Sequence, residues 1–224
     1  GPPFTKNADG SRDDAAYFSA CNRNKRSVTI DFSTKDGADL VRQLAAKADI
    51  LIENFKPGGL QKYGLDYASI AAFNPGIIYC SITGFGQTGP YSHRSGYDFL
   101  IQGMGGLMSI TGQPDGSPGG GPMKVGVAVC DLFTGMFAAN AALAALAYRS
   151  RTGIGQHIDC ALLDSQISML ANQSANWLNA EICPDRMGNS HPSVVPYTVY
   201  EAKDGFVIIA CGNDKQFIRL TAAL

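Results

Sequence analysis

One carboxylate stands out as a candidate for chemistry. Asp131 ends the apolar run Gly126-Val127-Ala128-Val129-Cys130 and opens the stretch Leu132 to Tyr148, LFTGMFAANAALAALAY, which has no charge before Arg149. A helix that is apolar all round is expected to be buried, so Asp131 would sit beside a core and near unpaired backbone N–H groups. Two readings are open. Asp is a preferred N-cap residue, or the carboxylate is a nucleophile held in a dry site. Spacing alone does not choose between them.

Other candidates are thinner. The three histidines, His93, His157 and His191, have no second His or Cys at metal-ligand spacing, which argues against a metal centre. No G-x-S-x-G elbow exists to support a hydrolase triad. His157 reads as a strand residue of structural character, whereas His93 lies in a loop that could border a site. Glu53 ends a predicted strand, where it could meet a ligand or fix the loop by hydrogen bonding. Gly84-Phe85-Gly86-Gln87-Thr88-Gly89 matches G-x-G-x-x-G, but Pro90 to Gly96 reads as a loop where a dinucleotide site needs a helix. A substrate-facing loop is the better reading.

The elements that must position these residues follow from periodicity. Ser27–Phe32 alternates and reads as a strand. Ser33 or Thr34 then caps a helix with Leu40, Val41, Leu44, Ala45 and Ala48 on its apolar face. Asp49–Phe55 and Gly76–Ile82 read as further strands, separated by the loop Lys56-Pro57-Gly58-Gly59 and a short helix near Tyr67–Phe73. A helix is expected over Tyr97–Ile110, then a mobile Gly/Pro-rich loop over Thr111–Met123, the Asp131 helix, a strand at Gln156–Ala161 and a helix at Leu162–Leu178. Strands alternating with helices predict an α/β fold with a doubly wound, mostly parallel sheet, whose ligands gather beyond the strands' carboxyl ends. After a linker, Val195–Glu201 and Gly205–Cys211 form a hairpin. This change of pattern predicts a large domain over residues 1–190 and the start of a smaller α+β domain over 191–224.

Composition limits the partners. The chain has 224 residues, 45% hydrophobic and 17% charged, with a formal net charge of −1. It therefore has material for a sizeable core but no basic surface, and neither a nucleic-acid nor a membrane partner is expected. Six scattered cysteines without a C-x-x-C pair point to a reducing compartment: the cytoplasm of a bacterium, or the mitochondrial matrix in a eukaryote. The sequence stops within a helix-like run from Asp214, which reads as part of a longer protein.

Several runs, in order along nearly the whole chain, resemble the class III CoA-transferase family, which also includes α-methylacyl-CoA racemases. They are Asn22–Ser27, Ala48–Gly58, Ser81–Pro90, Gly96-Tyr97-Asp98, Gly126–Asp131 and Gly153–Asp159. The resemblance implies a Rossmann-like large domain whose first βα unit precedes Gly1, and an interlocked homodimer of the full-length protein. It implies that Asp131 is the nucleophile, passing through an aspartyl anhydride and an aspartyl-CoA thioester as CoA moves from an acyl-CoA to a free carboxylic acid. CoA is then a substrate, and no prosthetic group is expected. The family's CoA contacts fall on Asn54, Phe55, Lys56, Gly59, Lys62 and, on the adenine side, Ile30; Gly84 and Tyr97 belong to the substrate loop. Racemases of this family carry His where this chain has Tyr97, a departure that favours transfer over racemisation. Ser193–Tyr197 and the hairpin resemble the dicarboxylate-type branch, which includes succinyl-CoA:glutarate enzymes.

Overall fold

A computed structural model describes residues 2–224. The chain divides into two compact units, residues 1–41 and 42–224. In the first, β1 (Phe4–Lys6) pairs antiparallel with β2 (Arg12–Ala15), and the Arg12 guanidinium lies 3.4 Å above the Phe4 ring centroid. Helix α1 (Ala16–Cys21) follows. The strand expected at Ser27–Phe32 does not form. A strand needs a neighbouring strand to take its ladder hydrogen bonds; among the described residues no strand lies alongside this stretch, and Val28 is exposed. Instead Asp31 accepts from the backbone N–H and hydroxyl of Ser33 (3.0 and 2.6 Å). Thr34 Oγ1 accepts from the N–H of Gly37 (3.1 Å) at the start of α2 (Lys35–Ala45), the expected cap. Only part of the predicted face of α2 is covered: Ala38 and Ala45 are buried, while Leu40 and Leu44 are exposed.

The second unit is built on a parallel sheet of β3 (Ile50–Glu53), β4 (Ile78–Thr83) and β5 (Gln156–Ala161), in that order. Ile50, Ile78 and Gln156 are in register, as are Glu53, Ser81 and Asp159. The α/β reading holds. Helix α3 (Tyr67–Ala71) leads into β4, whose Ile78, Tyr79 and Cys80 are fully buried. The helix expected over Tyr97–Ile110 is broken into α4 (Asp98–Met104) and α5 (Leu107–Ile110) by Gly105-Gly106. Gly106 has φ +90, a conformation that side chains disfavour.

Helix α6 runs from Val129 to Thr152, starting earlier than its apolar stretch. Its buried face is Cys130, Thr134, Ala138, Ala142 and Ala145, four or three residues apart. These small residues let the helix lie close against Ile78, Cys80 and Cys160 of the sheet. The opposite face is not covered in this chain: Leu132, Phe133, Met136, Phe137 and Leu143 are exposed, so all-round apolarity did not mean all-round burial. By length and composition α6 could cross a bilayer, but its small-residue face packs on the sheet. Its far end is clamped by Arg149, which donates to Gly76 O (3.1 Å) and Asp49 O (3.3 Å) and pairs with the Asp49 carboxylate (2.8 Å). Those residues precede β4 and β3. The helix therefore runs antiparallel to the strands, and its N-terminus meets their carboxyl ends.

The loop over Thr111–Met123, expected to be mobile, receives contacts from Arg186 and Gly188. Arg186 pairs with Asp115 and donates to Ser109 O (3.1 Å), and Gly188 N–H donates to Gly112 O (2.9 Å). The helix expected over Leu162–Leu178 is two helices, α7 (Leu162–Ser168) and α8 (Ala171–Ala180). The predicted hairpin is present as β6 (Tyr197–Ala202) and β7 (Gly205–Ala210), followed by α9 (Asp214–Ala223), capped by Asn213.

Candidate active site

The carboxyl ends of β3 and β4 and the N-terminus of α6 surround a cavity of about 630 Å³. Its floor is apolar (Ile52, Ile82, Leu162) and one wall is the loop Asn54-Phe55-Lys56-Pro57. Thr83, Gly84 and the segment Arg94-Ser95-Gly96-Tyr97 form the other side, and Asp131 and Gly135 project from α6. Gly135 lies one turn beyond Asp131, and a Cβ there would meet only open space. The turn above the carboxylate is thus left free for a ligand.

Asp131 does not cap its helix. It lies inside the first turn, and the N-cap residue Ala128 offers no side-chain bond. The capping role belongs to Asp98, at the start of α4. Its Oδ1 accepts from the N–H of Cys130 (2.8 Å) and, at 3.4 Å, from that of Asp131. Its Oδ2 accepts from Gln102 Nε2 (2.7 Å), and Gln102 Oε1 accepts from the N–H of Val125 (2.8 Å). Gln102 is fully buried. A carboxylate from another helix therefore satisfies the orphan donors that every helix start presents, and the carboxylate of Asp131 is left facing the cavity. Asp131 is exposed in this chain, not in the dry site expected. Partial desolvation by the surrounding protein still raises its carboxyl from the ordinary value, and the negative charge of Asp98 adds to the shift. The neighbouring Cys130 thiol, buried and beside Asp98, is pushed up to about 12, so it is no competing nucleophile at neutral pH.

The other sequence-derived residues divide. Asn54, Phe55, Lys56, Gly84 and Tyr97 line the same cavity as Asp131. Gly59 does not; its N–H closes a turn on Lys56 O (2.8 Å). Lys62 is also outside, its ammonium 4.7 Å from the Tyr63 ring centroid. Ile30 lies in the first compact unit and is not among the lining residues. Glu53 lines the cavity, and its Oε2 accepts from the N–H of Phe55 (2.7 Å), which is its loop-fixing reading. His157 stacks on Tyr67 (centroids 4.7 Å apart) and shares a hydrogen bond with buried Ser81 (2.9 Å), as its structural reading expects. His93 does not line the cavity, but its neighbour Arg94 does.

The glycine-rich motif is a loop, not a helix start. Thr83 Oγ1 accepts from the Gly86 N–H (2.9 Å), Asp159 Oδ2 accepts from that of Gln87 (2.8 Å), and α4 begins only at Asp98. Its neck is Gly84 against Gly96: a Cβ on Gly84 would fall 2.4 Å from the Gly96 Cα. That contact returns the chain to the cavity at Arg94–Tyr97. Sequence reasoning missed Asp98, Gln102 and Arg94. The signal for Asp98 was present, an acid one residue past Tyr97 at a helix start, but nothing local says that it caps a different helix.

Comparison with known proteins gives a consistent result. A succinate–glutarate CoA-transferase of Agrobacterium fabrum is 56% identical over 220 residues, covering 98% of this chain and 54% of that protein. A mouse succinyl-CoA:glutarate CoA-transferase is 46% identical over 217 residues, 97% of this chain and 48% of that protein. The crystal structure of a CaiB/BaiF family protein from Brucella suis superposes with a TM-score of 0.87 at 57% identity, over all of this chain and 57% of that one. The chain thus spans about half the length of the curated relatives it matches. The family model described as CoA-transferase family III matches residues 3–224, and with the relatives it establishes that this chain belongs to CoA-transferase family III.

Proposed function

We propose that the full-length protein carrying this chain transfers CoA from an acyl-CoA donor to a free carboxylic acid, with Asp131 as nucleophile. The observation that carries the reading is Asp131 itself: a carboxylate relieved of capping duty and open to a cavity beside the Asn54–Lys56 loop. A carboxylate is a weak nucleophile in water, and partial desolvation raises its reactivity. An Asp131 oxygen attacks the thioester carbonyl carbon, and the C–S bond breaks to give an aspartyl anhydride and CoA thiolate. The thiolate attacks the Asp131 carbonyl carbon, releasing the donor acid and leaving an aspartyl-CoA thioester. The acceptor carboxylate attacks that thioester, expelling thiolate and forming a second anhydride. Thiolate then attacks the acceptor's carbonyl carbon, and Asp131 leaves as a carboxylate. No proton is gained or lost over the cycle, and CoA enters and leaves as a substrate.

A dicarboxylate is the substrate class we infer. The relatives' names include succinate and glutarate, and the cavity combines an apolar floor with two cationic side chains, Lys56 and Arg94. The Arg94 guanidinium stacks 4.4 Å from the Tyr91 ring centroid. In the full-length protein, Arg94→Gln should raise KM for a dicarboxylate acceptor about tenfold or more, the loss of one charge-assisted hydrogen bond. KM for a monocarboxylate acceptor should stay within about twofold in the same steady-state assay. Racemisation is not favoured, because Tyr97 stands where that branch has His. Incubation in deuterated water should leave the α-proton of a 2-methylacyl-CoA unexchanged.

Ionised Asp131 is the reactive form, and its carboxyl is raised by burial and by Asp98. The acid limb of the kcat/KM profile should therefore lie above that of an unperturbed aspartate, as a pH series with succinyl-CoA would read. The charged and titratable groups sharing its cavity are Glu53, Lys56, Arg94 and Tyr97. For the whole protein we also infer an interlocked homodimer, a large domain ending near residue 190, and a reducing compartment, cytoplasmic or mitochondrial. The bare apolar face of α6 and six free cysteines support the first and last of these.

A further inference from the structure

We propose that Asp98 is a positioning residue for Asp131: held by Gln102, it occupies the N–H groups at the mouth of α6 and so keeps the Asp131 carboxylate unencumbered and facing the cavity. The inference rests on Asp131 being the nucleophile. It starts from a competition that every helix start sets up. An acid in the first turn is attracted to the orphan N–H groups of its own helix, and a nucleophile that spends its lone pairs there is a poorer one. In this chain those donors are already engaged. Cys130 N–H donates to Asp98 Oδ1 at 2.8 Å, and Asp131 N–H leans on the same oxygen at 3.4 Å.

The relay behind Asp98 fixes which atom does what. The Val125 N–H can only donate, so Gln102 presents Oε1 to it (2.8 Å) and is left to present Nε2 to Asp98 Oδ2 (2.7 Å). Gln102 is fully buried, so a reversed amide would bury two mismatched pairs. Asp98 is therefore bound on both oxygens as an acceptor, the role of an ionised carboxylate. Two acids are placed on either side of one helix turn. One is satisfied by protein donors, and the other is denied them. The environment separates their tasks, as it does where two carboxylates serve one reaction. The negative charge of Asp98 also works against ionisation of Asp131, the second cause of its raised carboxyl after burial, and so makes its anion more basic.

Asp98→Asn in the full-length protein tests this. The amide oxygen can still accept from Cys130 N–H, but the amide nitrogen then faces Gln102 Nε2, donor against donor. With succinyl-CoA and glutarate, kcat should fall about 10²-fold, the scale of a misplaced reacting group, while KM for succinyl-CoA changes by less than about threefold. The acid limb of the kcat/KM profile should move to lower pH, because a negative neighbour is gone; a purely structural role would not move it. If Asp98→Asn melts early, the double variant Asp98→Asn, Gln102→Glu restores donor–acceptor pairing and the acceptor for Cys130 N–H. Its kcat should then return to within about threefold of wild type; a folded double variant still about 10²-fold down would overturn the proposal. Wild-type kcat and an unmoved acid limb in a folded Asp98→Asn single variant would also overturn it. Hydroxylamine trapping during turnover separates the two readings. Label at Asp131 with an unaffected Asp98 variant removes only the role of Asp98, whereas wild-type protein trapped elsewhere removes both.

Discussion

Asp131→Asn in the full-length protein should abolish CoA transfer and, at neutral pH, raise the melting temperature. The loss should be at least about 10⁴-fold in kcat, since the amide cannot form either covalent intermediate and no alternative nucleophile shares the turn. The gain in stability follows from the direction of the pKa shift. Asp131 has a folded-state carboxyl raised above its unfolded value by burial and by Asp98, so the fold prefers its protonated form. The stabilisation this gives is fully present below the unfolded pKa and is lost as pH rises through the folded one. At neutral pH the ionised acid therefore costs stability, and the neutral, isosteric amide removes that cost. Thermal melts at pH 7 and near pH 4 should show the variant ahead at pH 7 and the gap closing at pH 4. A variant less stable than wild type at pH 7 would contradict the electrostatic account. An exchange of stability for reactivity of this kind is expected at a strained or desolvated site.

The second large effect concerns no chemical group at all. Gly84→Ala should cost about 1–3 kcal/mol in stability, the range for overpacking a closed contact, and reduce transfer about 10²-fold. Its Cβ would fall 2.4 Å from the Gly96 Cα and 2.6 Å from the Gly96 N. Backbone cannot swing aside as a flexible side chain can, so the neck of the loop must part. Arg94, Ser95, Gly96 and Tyr97 reach the cavity only through that neck, and Asp98 follows directly. Urea titration and steady-state kinetics on the variant should show the two losses together. A variant with wild-type stability would mean that the neck yields easily, and the close contact would lose its meaning.

The parts of this site that could be read from sequence are those set by short-range pattern. Ile50–Glu53 and Ile78–Thr83 appeared as strands because an apolar centre flanked by turn residues has few other solutions. From their parallel order the cavity's position beyond their carboxyl ends followed. What the sequence concealed depends on partners distant in the chain. Ser27–Phe32 has a strand's pattern, but among the described residues no strand pairs along it. Met169–Leu170 interrupts a helix where periodicity runs on, with Ala171 at φ +47 just beyond. Asp98 and Cys130 are far apart in sequence, and no local rule joins them. Asp131 was first open to a capping role because a helix start prefers such a residue; only the tertiary bond from Asp98 removes that role. The contacts made to Thr111–Met123 were hidden for a related reason. Gly and Pro content describes a loop's freedom in isolation, and Arg186 reaches it from well outside the loop.

The central claim is that Asp131 becomes covalently bonded during transfer, and one measurement addresses it directly. Full-length protein is incubated with succinyl-CoA and hydroxylamine, digested, and its peptides sequenced by mass spectrometry. The account predicts a hydroxamate on Asp131, dependent on succinyl-CoA and absent from Asp131→Asn. Turnover under these conditions with Asp131 unmodified, or with the label on another residue, would contradict it.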